Sequence, residues 1–88
     1  MKTPVYSTRF KKEYKASMKR GLDIARLDDI MVKLLQETAL PPANRDHALQ
    51  GNYAGCRECH IAPDWLLIYR YDGNDVVFVR TGTHSDLF

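Results

Sequence analysis

Trp65-Leu66-Leu67-Ile68-Tyr69-Arg70-Tyr71-Asp72-Gly73-Asn74-Asp75-Val76-Val77-Phe78-Val79-Arg80 decides the fold. Two runs of β-branched and aromatic residues flank the turn-forming triplet Asp72-Gly73-Asn74, so the stretch reads as an antiparallel hairpin. One step back, Pro63-Asp64 is a second turn. Cys56 to Ile61 then reads as a further strand, and the three strands make an antiparallel meander. On the Cys56 strand, Glu58 and His60 point to one face while Arg57, Cys59 and Ile61 point to the other. Ala43 to Gly55 has glycines, polar residues and no helical repeat, and reads as a loop.

Before Pro41-Pro42 the apolar period is helical. Leu27, Ile30, Met31, Leu34 and Leu35 follow the i, i+3, i+4, i+7, i+8 pattern of a helix capped by Asp23 and stopped by the proline pair. An earlier helix over residues 8–20 begins at an Ser7 cap and ends at Gly21. Phe10, Tyr14 and Met18 form its apolar stripe, and Lys11, Lys15 and Lys19 form a basic stripe beside it. Val5-Tyr6-Ser7 reads as a short first strand. The class is therefore α+β: a short N-terminal strand, two helices, then the meander, with the helices packed on one sheet face and the other face free to carry a site.

Eighty-eight residues suit a single domain, residues 1–88. No run approaches the ~18 apolar residues of a membrane span, and Met1 to Tyr6 leads straight into charges, which fits a cytoplasmic chain without a signal peptide. The net charge of +2 is uneven. Residues 1–20 hold seven basic groups and one acid (+6), and residues 21–88 hold six basic groups and ten acids (−4). Such a basic lobe suits a polyanion or an acidic protein partner, and equally a solvated helix face.

Cys56-Arg57-Glu58-Cys59-His60 matches the pattern for c-type haem attachment. On a strand, however, the two cysteines face opposite sides, which argues against haem and against a zinc site built from Cys56, Cys59, His60 and His84. They read as two reduced thiols with some burial, and neither a metal nor another cofactor is expected.

All three histidines lie in short segments that also carry carboxylates, arginines or aromatics: Asp46-His47, His60-Ile61-Ala62-Pro63-Asp64-Trp65 and Arg80-Thr81-Gly82-Thr83-His84-Ser85-Asp86-Leu87-Phe88. Cleavage of RNA by its own 2′-hydroxyl needs such groups. A base takes the 2′-OH proton, an acid protonates the departing 5′-oxygen, and positive charge stabilises the phosphorane-like transition state. Histidine suits either proton-transfer role. Asp64 could be a base or orient a histidine. Arg80 offers a planar fork for phosphate, and Trp65 and Phe88 could stack on unpaired bases. Each residue also has a plainer reading, from turn aspartate to core tryptophan.

These three segments, in this order and spacing, resemble the YafQ branch of the RelE superfamily of bacterial toxins. The resemblance spans essentially the whole chain and is most specific over residues 46–88. It implies a RelE-like, microbial-ribonuclease-like fold and a ribosome-dependent endoribonuclease that cuts messenger RNA in the decoding site without a metal, held inactive by a cognate antitoxin. Carried over position by position, it implies a catalytic group of His47, His60, Asp64 and His84, with Trp65, Arg80 and Phe88 shaping or contacting the RNA. In the division of roles expected from it, His84 is the acid and Asp64, aided by His60, the base. Arg80 serves the phosphate and His47 orients the site, with His47 or His60 as alternative bases. Cys56 and Cys59 depart from the usual residues of the branch at those positions. A non-catalytic relative that binds gyrase or an antitoxin is the competing reading. Growth arrest that vanishes in His84→Ala separates the two.

Overall fold

The computed structural model describes residues 1–88 as one five-stranded sheet with helices against it. The elements in chain order are β1 (Thr3–Tyr6), α1 (Thr8–Lys19), α2 (Ile24–Leu35), a 3-10 turn at Pro42–Asn44, β2 (His47–Ala48), a second such turn at Gly51–Tyr53, β3 (Arg57–Ala62), β4 (Trp65–Asp72), β5 (Asp75–Gly82) and α3 (His84–Leu87). The sheet order is β1-β5-β4-β3-β2. The expected meander is β3-β4-β5, antiparallel throughout. β1 joins the far edge of β5 in parallel, with Val5 opposite Val77, so the sheet is mixed.

The main core lies between the two long helices and one sheet face. Phe10 of α1 and Leu27, Ile30, Met31 and Leu34 of α2 meet Cys59, Ile61, Trp65, Leu67, Tyr69, Val76 and Phe78 from the strands. The α2 stripe is the one the sequence implies. The α1 stripe is not, because Met18 is 52% exposed and Ser17 is buried instead. A strict four-residue spacing drifts about 40° per step around a 3.6-residue helix, which carries Met18 off the face that Phe10 holds.

Helix termini differ in a similar way. Ser7 caps α1 as expected, accepting from the Phe10 N–H at 2.9 Å. Asp23 stands at the α2 cap position, but its carboxylate makes no capping bond. Pro41-Pro42 does not stop α2. The helix ends at Leu35, and the chain turns at Glu37, which takes a left-handed φ of 59° while the Glu37 and Thr38 N–H groups donate to the carbonyls of Leu34 and Lys33.

The second sheet face is not free. Leu66 and Ile68 of β4 pack there with Cys56 and Leu87 in a smaller cluster, flanked by Leu49, Tyr53 and Val79. The segment expected to be plain loop thus supplies part of this cover, and its His47–Ala48 piece forms a strand against β3. Cys56 and Cys59 belong to the two different clusters, on opposite faces of the sheet, and both are free thiols. Burial pushes the Cys59 thiol up to about 12.

One irregularity fixes which side chains reach the second face. Tyr69 pairs with Phe78, but Ile68 pairs with Arg80, so Val79 is an extra residue in β5. Strict alternation from Val76 and Phe78 would point Arg80 into the helix-side core. The bulge inverts the parity, and Arg80 comes out on the face of Ile68.

Candidate functional site

The site forms where β2, β3, the β3–β4 turn and the C-terminal turn meet on the second sheet face. Antiparallel pairing sets Glu58 opposite His47 on one side and Ile68 on the other, and His60 opposite Leu66. Directly paired residues share a face, so His47, Glu58 and His60 stand together beside the small apolar cluster.

Glu58 is the centre of this group. Its Oε1 lies 3.6 Å from His47 Nε2 and 3.6 Å from His60 Nε2. The Glu58 side chain is only 6% exposed, and a buried carboxylate demands positive or hydrogen-bonding neighbours. His47 is half exposed, with Nδ1 2.7 Å from the Arg45 carbonyl. A carbonyl only accepts, so Nδ1 carries the hydrogen and Nε2 is the free nitrogen. His60 is more enclosed, at 12% side-chain exposure, and its backbone carbonyl accepts from Asn44 Nδ2 at 2.8 Å.

His84 opens the single-turn helix α3, and its ring centroid lies 5.7 Å from that of His60. Asp64, at the tip of the β3–β4 turn, takes two hydrogen bonds from it on one oxygen. The ring Nδ1 donates at 2.7 Å and the backbone N–H at 3.0 Å. The ring contact, with the backbone bond behind it, holds the Asp64 carboxyl below the usual carboxylate range. The Nε2 of His84 is left without a protein partner.

Four catalytic positions named from sequence therefore come together, but not in the expected pairs. Asp64 serves His84 rather than His60, and a carboxylate so engaged makes a poor base. The RNA-contact set changes more. Trp65 is 4% exposed and sits in the main core, where its Nε1 donates to Thr81 Oγ1 at 3.0 Å. Stacking by its indole on a base is therefore corrected to packing. Phe88 is 64% exposed, with its ring edge-on to Tyr53 at 5.6 Å. The fork of Arg80 is occupied: Nε and Nη2 reach the two Glu13 carboxylate oxygens at 3.2 and 2.5 Å, and Nη1 donates to the Tyr53 hydroxyl at 3.1 Å. Chiefly through Glu13, this raises the Arg80 guanidinium above its ordinary value.

Glu58, Glu13 and Tyr53 were not among the positions singled out from sequence. Glu58 carried the one available signal, its two-residue offset from His60 on a strand. Nothing local marks Glu13 or Tyr53, which lie far from Arg80 in the chain.

Metal-ligating atoms of Glu58, His60 and His84 all lie within 4.8 Å of one another. Two imidazoles and a carboxylate suit a borderline transition-metal ion. The set imagined from Cys56, Cys59, His60 and His84 is not assembled, because Cys59 lies in the opposite core.

Residues 2–88 match the family described as bacterial toxin of type II toxin-antitoxin system, YafQ. The mRNA interferase toxin YafQ of Escherichia coli (strain K12) is 42% identical over 84 residues, 94% of this chain and 91% of that protein. The toxin in the E. coli DinJ-YafQ complex superimposes with a TM-score of 0.92 at 38% identity, covering 100% of this chain and 99% of that one. A metal-bound toxin from Helicobacter pylori does so at 0.93 and 39% identity over 100% of both chains.

Proposed function

Given that the chain belongs to the YafQ family of bacterial type II toxins, we propose that it is an mRNA endoribonuclease. It acts as a single domain of residues 1–88 in the cytoplasm, cuts message on the ribosome, and is restrained by a cognate antitoxin. The observation that carries this reading is the Asp64–His84 pair, which fixes an imidazole with Nε2 free in a corner shared with two more histidines and a buried glutamate.

In this reading His84 is the general acid. Asp64 holds the Nδ1–H tautomer, so the proton delivered to the leaving 5′-oxygen comes from Nε2. Of the bases left open by the sequence, His47 fits best. The Arg45 carbonyl holds its Nδ1–H, its ring is half exposed, and Glu58, 3.6 Å from Nε2, stabilises the imidazolium it becomes. The 2′-oxygen loses its proton to His47 and bonds to phosphorus, and the bond from phosphorus to the 5′-oxygen breaks. The products are a 2′,3′-cyclic phosphate and a 5′-hydroxyl.

His60 Nε2 stands 3.6 Å from Glu58 Oε1 in the same corner. Arg80 contributes positive potential and its remaining Nη1 hydrogen, and Phe88 offers an exposed face for a base. The basic stripe Lys11, Lys15 and Lys19 is exposed on α1 and suits either ribosomal RNA or an acidic antitoxin segment. No step requires a metal.

The test is a translation reaction on a defined message, with RNA ends mapped by primer extension, for the parent protein and His84→Ala. It is repeated without ribosomes. In-frame cuts made only by the parent, and only with ribosomes, are expected. A folded, partner-binding protein that cuts under neither condition would replace the nuclease with a binding module.

A further inference from the structure

Helix α1 and its C-cap residue Arg20 send two charged side chains toward the C-terminal segment. Glu13 and Arg20 are seven residues apart, on the face that also carries the buried Ser17 between them. Glu13 holds Arg80, as described. Arg20 does something separate: its Nη1 donates to Asp86 Oδ2 at 3.0 Å.

That oxygen has a second duty. Asp86 Oδ2 accepts the Thr83 N–H at 3.0 Å, while the Asp86 N–H donates to Thr83 Oγ1 at 3.2 Å, which closes a reciprocal capping box around α3. α3 is only four residues long, and His84 is its first. One turn of helix does not hold itself together in water, because its nucleation cost is not recovered by so few hydrogen bonds. Its order must come from caps and tertiary contacts. The tertiary contacts are the Asp64–His84 pair, Leu87 in the small cluster, Arg20 on Asp86, and long bonds of 3.5 Å from Arg80 and Tyr53 to the Asp86 and Leu87 carbonyls.

We propose that Arg20 is a positioning residue for the reaction: by holding Asp86 it fixes the turn that aims His84. The inference rests on the reading of His84 as the general acid. Arg20 itself touches neither His84 nor the reacting corner. Its side chain is 52% exposed, so the contact adds little to global stability, as is usual for exposed ion pairs. Aim is a different matter, since a small misplacement of a catalytic group costs far more in rate than in stability.

The experiment is single-turnover cleavage of ribosome-bound message by the parent, Arg20→Gln, Arg20→Lys and His84→Ala, scaled to folded protein. The saturating rate and the half-saturating concentration are measured separately, together with amide hydrogen exchange at Leu87 and Phe88, whose N–H groups close the α3 turn. Arg20→Gln is expected to lower the saturating rate about three- to ten-fold, leave half-saturation near the parent value and speed exchange at both amides, with Arg20→Lys intermediate. Parent rate and parent exchange in Arg20→Gln would overturn the proposal. So would an unchanged saturating rate with a raised, salt-sensitive half-saturation, which would make Arg20 an RNA contact. If His84→Ala cleaves like the parent, the reading of His84 fails instead. The exchange data then still report whether Arg20 holds the turn.

Discussion

Asp64 Oδ1 receives both the ring Nδ1 and the backbone N–H of His84, at 2.7 and 3.0 Å. A turn residue between β3 and β4 thus sets both the tautomer and the rotation of a ring four residues from Phe88. Asp64→Asn keeps the shape but removes the charge, and its amide can present an N–H where an acceptor is needed. Cleavage at saturation should fall about 10- to 100-fold. Both groups are exposed, so the thermal midpoint should stay near that of the parent. A calorimetric scan beside the ribosome assay separates the two effects.

The same corner should respond to acid. The Asp86 carboxyl is held down to about 2, first by the Arg20 hydrogen bond and then by the Thr83 N–H, and Asp64 is also lowered, first by the His84 ring. Both folded values lie below the ordinary carboxylate value of about 3.9. Their stabilisation is therefore complete above that value and is lost as pH falls toward the folded values. NMR shifts of the Leu87 and Phe88 amides should follow α3 loosening between about pH 4 and pH 2. Arg20→Gln should move that midpoint upward, toward the ordinary carboxylate value. An identical midpoint in the variant would mean that Arg20 does not stabilise the ionised Asp86.

Trp65 and Phe88, both read from sequence as RNA-contact positions, should separate cleanly. Trp65 is a core residue whose indole N–H serves Thr81, and the Thr81 hydroxyl in turn donates to the Leu66 carbonyl at 2.8 Å. Trp65→Phe should cost about 1–3 kcal/mol of stability through the lost bond and volume, with cleavage per folded molecule retained. Phe88→Ala should leave the denaturation midpoint nearly fixed. It should raise the half-saturating concentration about 5- to 100-fold, as expected when one stacked base loses its platform. The reverse pattern would restore Trp65 as a platform.

These contrasts show what a chain of this kind reveals about itself. The β3-β4-β5 meander and the α2 stripe were legible because local period and turn chemistry dictate them. The end of α2 was not, because Glu37 turns left-handed without being glycine, and the prolines stood several residues late. The face of Arg80 was hidden by a bulge at Val79, a register choice made between strands rather than along one. The catalytic members His47, His60, Asp64 and His84 could be named. Their pairing could not, because the Asp64–His84 and Glu58–His47 contacts depend on how separate strands and turns meet. Glu13 is the extreme case: it binds Arg80 across most of the chain, and no motif announces it.

Gly82 offers a final check on how tightly the C-terminal turn is built. Its backbone does not require glycine on conformational grounds, since its φ is not in the left-handed region. Space is the constraint. A Cβ added there would stand 3.0 Å from both Cβ and Oδ2 of Asp86, a tight contact. Asp86 would have to give by a few tenths of an ångström, which strains the bonds its Oδ2 makes to the Thr83 N–H and Arg20. Gly82→Ala should therefore weaken the capping box, at a cost of up to about 1 kcal/mol, and lower the saturating cleavage rate in the same way as Arg20→Gln. Combining the two substitutions gives the sharper readout. If both act through Asp86, the double variant should lose less than the sum of the two single losses. Additive losses would mean that Arg20 and Gly82 reach His84 by separate routes.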